Sequence, residues 1–137
     1  MSKMIFLNLP VRDLAASTAF YEALGGTVNE QFSSDDNKSI MLSDTIVVML
    51  LTHERYQGFT TRPIGDARAQ SQALIALNVD TRADVDTTID KVAAAGGKPD
   101  PNPAQDHGFM FGRSVEDPDG YVWEVFWMDM AAVPGCE

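Results

Sequence analysis

The chain states one pattern twice, and that constrains its fold more than any other feature. In the first half, Phe6-Leu7-Asn8-Leu9-Pro10-Val11 reads as a strand. Asp13 is placed to cap a helix through Phe20, Tyr21 and Leu24, and Gly25-Gly26 ends it. Strand-like residues 27–32 follow, then a polar turn at Ser34-Asp35-Asp36-Asn37, then strands over 39–42 and 45–51 about a tight turn at Ser43-Asp44. In the second half, Leu74-Ile75-Ala76-Leu77-Asn78-Val79 is the strand. Asp80 or Thr81 caps a helix whose Val85, Ile89, Val92 and Ala93 share one face, and Gly96-Gly97 stops it. A Pro-broken loop over 98–106 precedes a strand over 109–115, the turn Asp117-Pro118-Asp119-Gly120 and a last strand. The strand just after Gly97 is weakly marked. Both glycine pairs are read here as helix stops with no further role.

A strand-helix-three-strand unit is small for a core of its own. Two such units can share one core, with curved mixed sheets around a cleft and helices outside. The expected architecture is therefore α+β: two βαβββ modules, at residues 1–52 and 72–130, joined by a polar linker at 53–71 that contains Pro63 and Gly65. The 137 residues then make one domain. A cleft between repeats is a natural small-molecule site.

Charge narrows the partners. A net charge of −10 opposes nucleic-acid binding, which needs a basic surface, and opposes attraction to anionic lipid. No apolar run reaches membrane-spanning length. Met1-Ser2-Lys3-Met4 runs directly into strand-like sequence, which does not read as a signal peptide. The single cysteine, Cys136, cannot form an internal disulfide and suits a reducing compartment, so the expected location is the cytoplasm.

The last strand carries the chemistry. Side chains alternate, so Val122, Glu124 and Phe126 share one face and Trp123, Val125 and Trp127 the other. Glu124 thus stands among large apolar residues, where an ionised carboxylate needs a cation, a metal or hydrogen-bond donors. Its neighbour depends on the hairpin register. A three-residue loop, Pro118-Asp119-Gly120, puts Ser114 opposite Glu124; a four-residue loop puts Arg113 there and makes a cross-strand ion pair.

The stretch Leu9-Pro10-Val11-Arg12-Asp13-Leu14 leading to Phe20-Tyr21 and Leu24-Gly25, with Asp117-Pro118-Asp119-Gly120 leading to Glu124, resembles the vicinal oxygen chelate superfamily. That group includes glyoxalase I, extradiol dioxygenases, and bleomycin- and fosfomycin-resistance proteins. Gln105-Asp106-His107-Gly108-Phe109-Met110, with Trp123-Glu124 and Trp127-Met128-Asp129, is similar to a bacterial subgroup described as predicted lactoylglutathione lyases. The resemblance covers nearly the whole chain and implies a homodimer. It also implies four metal-ligand places on the cleft strands: Phe6, Leu74, one of Val48 or Met49, and Glu124. Only Glu124 can ligate a hard divalent ion, so a divalent metal is not supported and no other cofactor is indicated.

Further candidates are His107, as an acid or base over the cleft mouth, and Asn8, whose amide could meet a ligand carbonyl. Phe6, Leu74 and Phe126 are candidate cleft wall, and Arg113 or Ser114 the cross-strand neighbour of Glu124. Two functional classes follow. One is a lyase or isomerase of a small molecule with Glu124 as base. The other is a protein that sequesters a small apolar or aromatic compound, with Glu124 meeting a ligand cation.

Overall fold

The structure is a computed structural model that describes residues 2–132; Cys136 lies outside them. The elements run β1 (Ile5–Val11), α1 (Leu14–Ala23), β2 (Thr27–Val28), β3 (Asn37–Met41), β4 (Ile46–Thr52), α2 (His53–Gln57), β5 (Leu74–Asn78), α3 (Arg82–Ala94), β6 (Lys98–Pro99), β7 (Gln105–Asp106), β8 (Met110–Glu116) and β9 (Val122–Met128). The repeat is realised as repeated topology. One sheet has the order β1-β4-β3-β2 and the other β5-β9-β8-β6, with β7 also pairing β8. In each, the first strand pairs parallel to the last, and the remaining pairs are antiparallel.

Local chemistry sets the boundaries. Asp13 caps α1 by accepting from the Ala16 amide. Thr81, rather than Asp80, caps α3, and Asp84 returns the bond to complete a capping box. The strand expected over 27–32 stops after Val28. Asn29 accepts from the Gln31 amide and turns residues Glu30–Phe32 into a 3-10 helix, so a local side-chain bond outcompetes the sheet ladder. The loop over 98–106 carries two short strands where only the first was weakly marked.

One hydrophobic cluster joins both halves. It contains Phe20 and Tyr21 of α1, Ile89 and Val92 of α3, Val48 and Leu50 of β4, and Val115, Trp123 and Val125 of the last hairpin. Gly97 does more than stop a helix. A Cβ there would lie 2.7 Å from the Phe20 ring and 2.9 Å from the Val92 carbonyl, so the missing side chain lets the two modules close on each other.

The turn between β8 and β9 clasps the modules. The Tyr21 hydroxyl donates to Asp117 Oδ2 at 2.6 Å and accepts from Trp123 Nε1 at 3.0 Å. Asp119 accepts from the Arg12 amide at 3.0 Å, from Arg12 Nη1 at 3.2 Å and from the Ser17 hydroxyl at 3.3 Å. Asp117 Oδ1 also accepts from the amides of Asp119 and Tyr121, at 2.9 and 2.8 Å. Burial nevertheless outweighs these bonds and pushes the Asp117 carboxyl up to about 6.

A carboxyl whose pKa is higher in the folded than in the unfolded state binds its proton more tightly when folded. Its stabilising contribution is complete below the unfolded value and is lost as pH rises through about 6. The free energy of unfolding of wild type, minus that of Asp117→Asn, should therefore increase by about 3 kcal/mol at most between pH 7 and pH 4. Urea unfolding of both proteins across that range checks this; a difference independent of pH would contradict it.

Candidate functional site

The hairpin adopts the three-residue loop. The Asp117 amide donates to the Tyr121 carbonyl at 2.9 Å, and Gly120 has φ +103°, the left-handed region that glycine occupies without strain. Ser114 is consequently opposite Glu124, and Arg113 is opposite Val125. Alternation then turns Arg113 toward the helix-bearing face. Its guanidinium donates to Asp86 of α3 at 2.8 Å and grips both oxygens of Asp100, at 3.0 and 2.7 Å. These bonds hold the Asp100 carboxyl below its ordinary range and raise Arg113. They also hold Asp100 at φ +57°, which is unusual for a residue with a side chain. Arg113 is thus committed elsewhere and does not neutralise Glu124.

Glu124 is half-buried on the other face of β9. Small side chains flank it on both neighbouring strands, Ala76 on β5 and Ser114 on β8. Gly112 sits opposite Phe126, and Met110 opposite Met128. Together with Pro103, Gln105 and Arg113, whose guanidinium is bonded to Asp86 and Asp100 on the other face, these residues line a groove of about 250 Å³. None of the ion pairs among the described residues includes Glu124. The Ser114 hydroxyl is already spent: it accepts from the Asn102 amide at 3.0 Å and donates to the Asn102 carbonyl at 3.2 Å. That exchange draws the Pro-rich loop over the sheet and brings Pro103 and Gln105 to the groove, a role the sequence reading did not assign to Ser114.

The other candidates are dispersed. Phe6 and Leu74 are 56% and 53% exposed and do not wall the groove. Asn8 lies opposite Met49 on the first sheet and lines a separate chamber beside β1. Asn8 and Glu124 thus line separate pockets, since the sheets share their core through the helix-bearing faces and these two residues point away from it. His107 is exposed in the turn between β7 and β8, where its amide donates to the Met110 carbonyl at 2.8 Å. Met110 pairs with Met128, four residues beyond Glu124, so His107 is roughly 13 Å or more along the sheet from that carboxylate. Neighbouring Asp106 is held by Arg82, which pushes its carboxyl down to about 2, and Arg82 stacks over Phe111 at 4.3 Å.

The registers also settle which of Val48 and Met49 corresponds to Glu124. Phe6 is opposite Val47 as Leu74 is opposite Val122, so Met49, two residues on, corresponds to Glu124. Val48 is fully buried on the helix side. The four places are thus Phe6, Met49, Leu74 and Glu124, and one carboxylate among apolar groups does not fit a divalent ion. Among the described residues no group of three or more His, Cys, Asp or Glu could hold a metal.

This paired βαβββ arrangement is that of a known class of fold, and the sequence agrees. Residues 3–125 match the Glyoxalase/Bleomycin resistance protein/Dioxygenase superfamily, and the chain belongs to it. A hypothetical protein from S. aureus is 28% identical, with a TM-score of 0.76 over 93% of this chain and 95% of that one. A glyoxalase-related enzyme from Fulvimarina pelagi is 23% identical, with a TM-score of 0.77 over 95% and 91%. The fosfomycin resistance protein FosX from Mesorhizobium loti is 22% identical, with a TM-score of 0.62 over 93% and 90%. The last two likenesses show the fold alone. No curated protein matches the sequence. Among the described residues no helix is long and apolar enough to cross a membrane.

With Glu124 free of a cation, Glu124→Gln should change stability by less than about 1 kcal/mol. Arg113→Met should cost more, roughly 1–2 kcal/mol, by releasing Asp86 and Asp100. The double variant should be additive. Urea unfolding of the three variants measures this, and a Glu124→Gln loss restored by Arg113→Met would contradict the register argument.

Proposed function

We propose that this chain binds and sequesters a small apolar compound bearing a positive charge, without a metal, in the Glu124 groove of the second sheet. The observation that carries the reading is the Glu124 carboxylate itself, outside every ion pair of the described residues and set among Met110, Phe126 and Met128. A cation there meets a carboxylate in a partly desolvated groove, where the attraction is stronger than in bulk water. The Phe126 ring offers a face for cation–π contact, and the two methionines adapt to ligand shape. The net charge of −10 raises the local concentration of cations. Binding is favoured over a lyase or isomerase because acid–base catalysis needs a second group at the reacting atoms. Ser114 is occupied by Asn102, His107 stands at the far turn, and the Arg113 guanidinium is bonded to Asp86 and Asp100 on the other face.

Isothermal titration with benzyltrimethylammonium, with benzyl alcohol as the uncharged control, tests this. The cation should bind better than the control. Glu124→Gln should weaken it about tenfold or more, as loss of one charge-assisted contact does. Added salt should weaken it too, and a chelator should leave it unchanged. Equal binding to wild type and Glu124→Gln, or loss of binding on chelation, would overturn the reading.

The same proposal includes a homodimer. β1 and β5 are the outermost strands of their sheets and carry exposed Ile5, Phe6 and Leu74. Open apolar edges of this kind favour pairing with a second copy. Light scattering should give about twice the chain mass, and a monomer at high micromolar concentration would contradict this.

A further inference from the structure

A second cavity, larger than the Glu124 groove, has no part in that site. It is a chamber of about 400 Å³ between β1 and the start of β5 and β9, and it shares no lining residue with the groove. It exists because β1 and β5 are both edge strands and do not pair with each other. Residues 58–73, on the way from α2 to β5, pass over the gap.

That roof is fastened to the clasp turn. Arg68 donates from its guanidinium to the Pro118 carbonyl, and its amide donates to Asp66 at 3.0 Å. Gly120 has no side chain to hold the roof away: a Cβ there would lie 2.7 Å from the Arg68 nitrogen. The same backbone that fixes the hairpin therefore also fixes the chamber.

The lining has a definite chemistry. Pro10, Ile64, Ile75 and Val122 supply apolar wall, and Tyr56 and Tyr121 supply two phenols. Neither hydroxyl is buried without access to solvent, and neither takes a protein hydrogen-bond partner among the described residues. Burial, with Asp117 and Asp119 close by, pushes the Tyr121 phenol up to about 12; its proton stays in place at neutral pH. The charged lining residues, Arg62 and Asp66, are of opposite sign and exposed.

We propose that this chamber is a second ligand site, independent of the Glu124 groove, for a neutral planar aromatic molecule carrying a carbonyl acceptor that the Tyr56 and Tyr121 hydroxyls engage. The apolar wall accommodates a ring system, the two phenol donors without protein partners suit an acceptor, and the balanced charges suit neutrality.

Coumarin, a neutral bicyclic aromatic with one carbonyl, is a suitable probe, followed by amide nitrogen–proton NMR of the full chain. Saturable shifts are expected at Ile64, Gly65, Ile75 and Val122, with Gly112 and Phe126 unmoved. The Tyr56→Phe/Tyr121→Phe double variant should bind about tenfold more weakly, as removal of unshared hydrogen bonds predicts. Ala73→Trp, which fills the chamber from an exposed lining position, should abolish binding. Glu124→Gln should leave coumarin binding unchanged, which separates this site from the groove whatever the outcome there. No saturation in the millimolar range, shifts centred on Gly112 and Phe126, or undiminished binding by Ala73→Trp would overturn the proposal.

Discussion

The hydrogen bond from Tyr21 to Asp117 is the contact on which the rest of the molecule depends. It crosses between modules, 96 residues apart in sequence, inside the shared core. The same carboxylate accepts from the amides of Asp119 and Tyr121 and so closes the hairpin at three residues. That loop length sets the β8–β9 register, which puts Ser114 opposite Glu124 and turns Arg113 to the other face. Asp119, two residues on, ties down Arg12 and Ser17, while Pro118 and Gly120 receive the linker through Arg68. One turn therefore docks the modules, orients the candidate functional carboxylate and roofs the chamber.

The acidic residues of the second module divide into distinct roles. Asp117 and Asp119 are buried and bonded between modules, at a desolvation cost that shows in the raised Asp117 pKa. Asp86, Asp100 and Asp106 are held by arginines; the exposed Arg82–Asp106 pair mainly fixes geometry, whereas the less exposed Arg113, bonded to both Asp86 and Asp100, also adds stability. Glu124 is in neither group. Its strand neighbours Ala76 and Ser114 are small, and its groove offers apolar contact without a counter-charge. The carboxylate is thus available to something outside the chain, which is the physical basis for reading it as a ligand contact.

Much of this architecture was legible in the sequence because it is local or periodic. The repeated order of strand, helix and double glycine became repeated sheet order, and the alternation from Val122 to Trp127 placed Trp123 and Val125 in the core and Glu124 on the opposite face. What was not legible is long-range. Asp117 and Asp119 read as turn formers because nothing local reveals Tyr21, Ser17 and Arg12 beside them; the available signal was Ser17 and Tyr21 four apart on one helix face. Both loop lengths were open for Asp117-Pro118-Asp119-Gly120, the glycine favouring the three-residue loop, and the Asp117 side-chain bonds that accompany that loop involve the buried Tyr21 contact, which nothing local reveals. Gly97 looked like a helix stop until Phe20 of the other module stood against it. That Asn8 and Glu124 line separate pockets was not legible for the same reason, since it depends on how the two sheets face each other.

A double-mutant cycle between Tyr21→Phe and Asp117→Asn tests the central claim most directly. Unfolding free energies of wild type, both single variants and the double variant give the coupling between the two side chains. The account predicts a coupling of about 1.5–3 kcal/mol at pH 7.5, where Asp117 is ionised, as expected for a buried hydrogen bond to a charged acceptor. Additivity within about 0.5 kcal/mol would contradict it and remove the clasp as the organising contact of the fold.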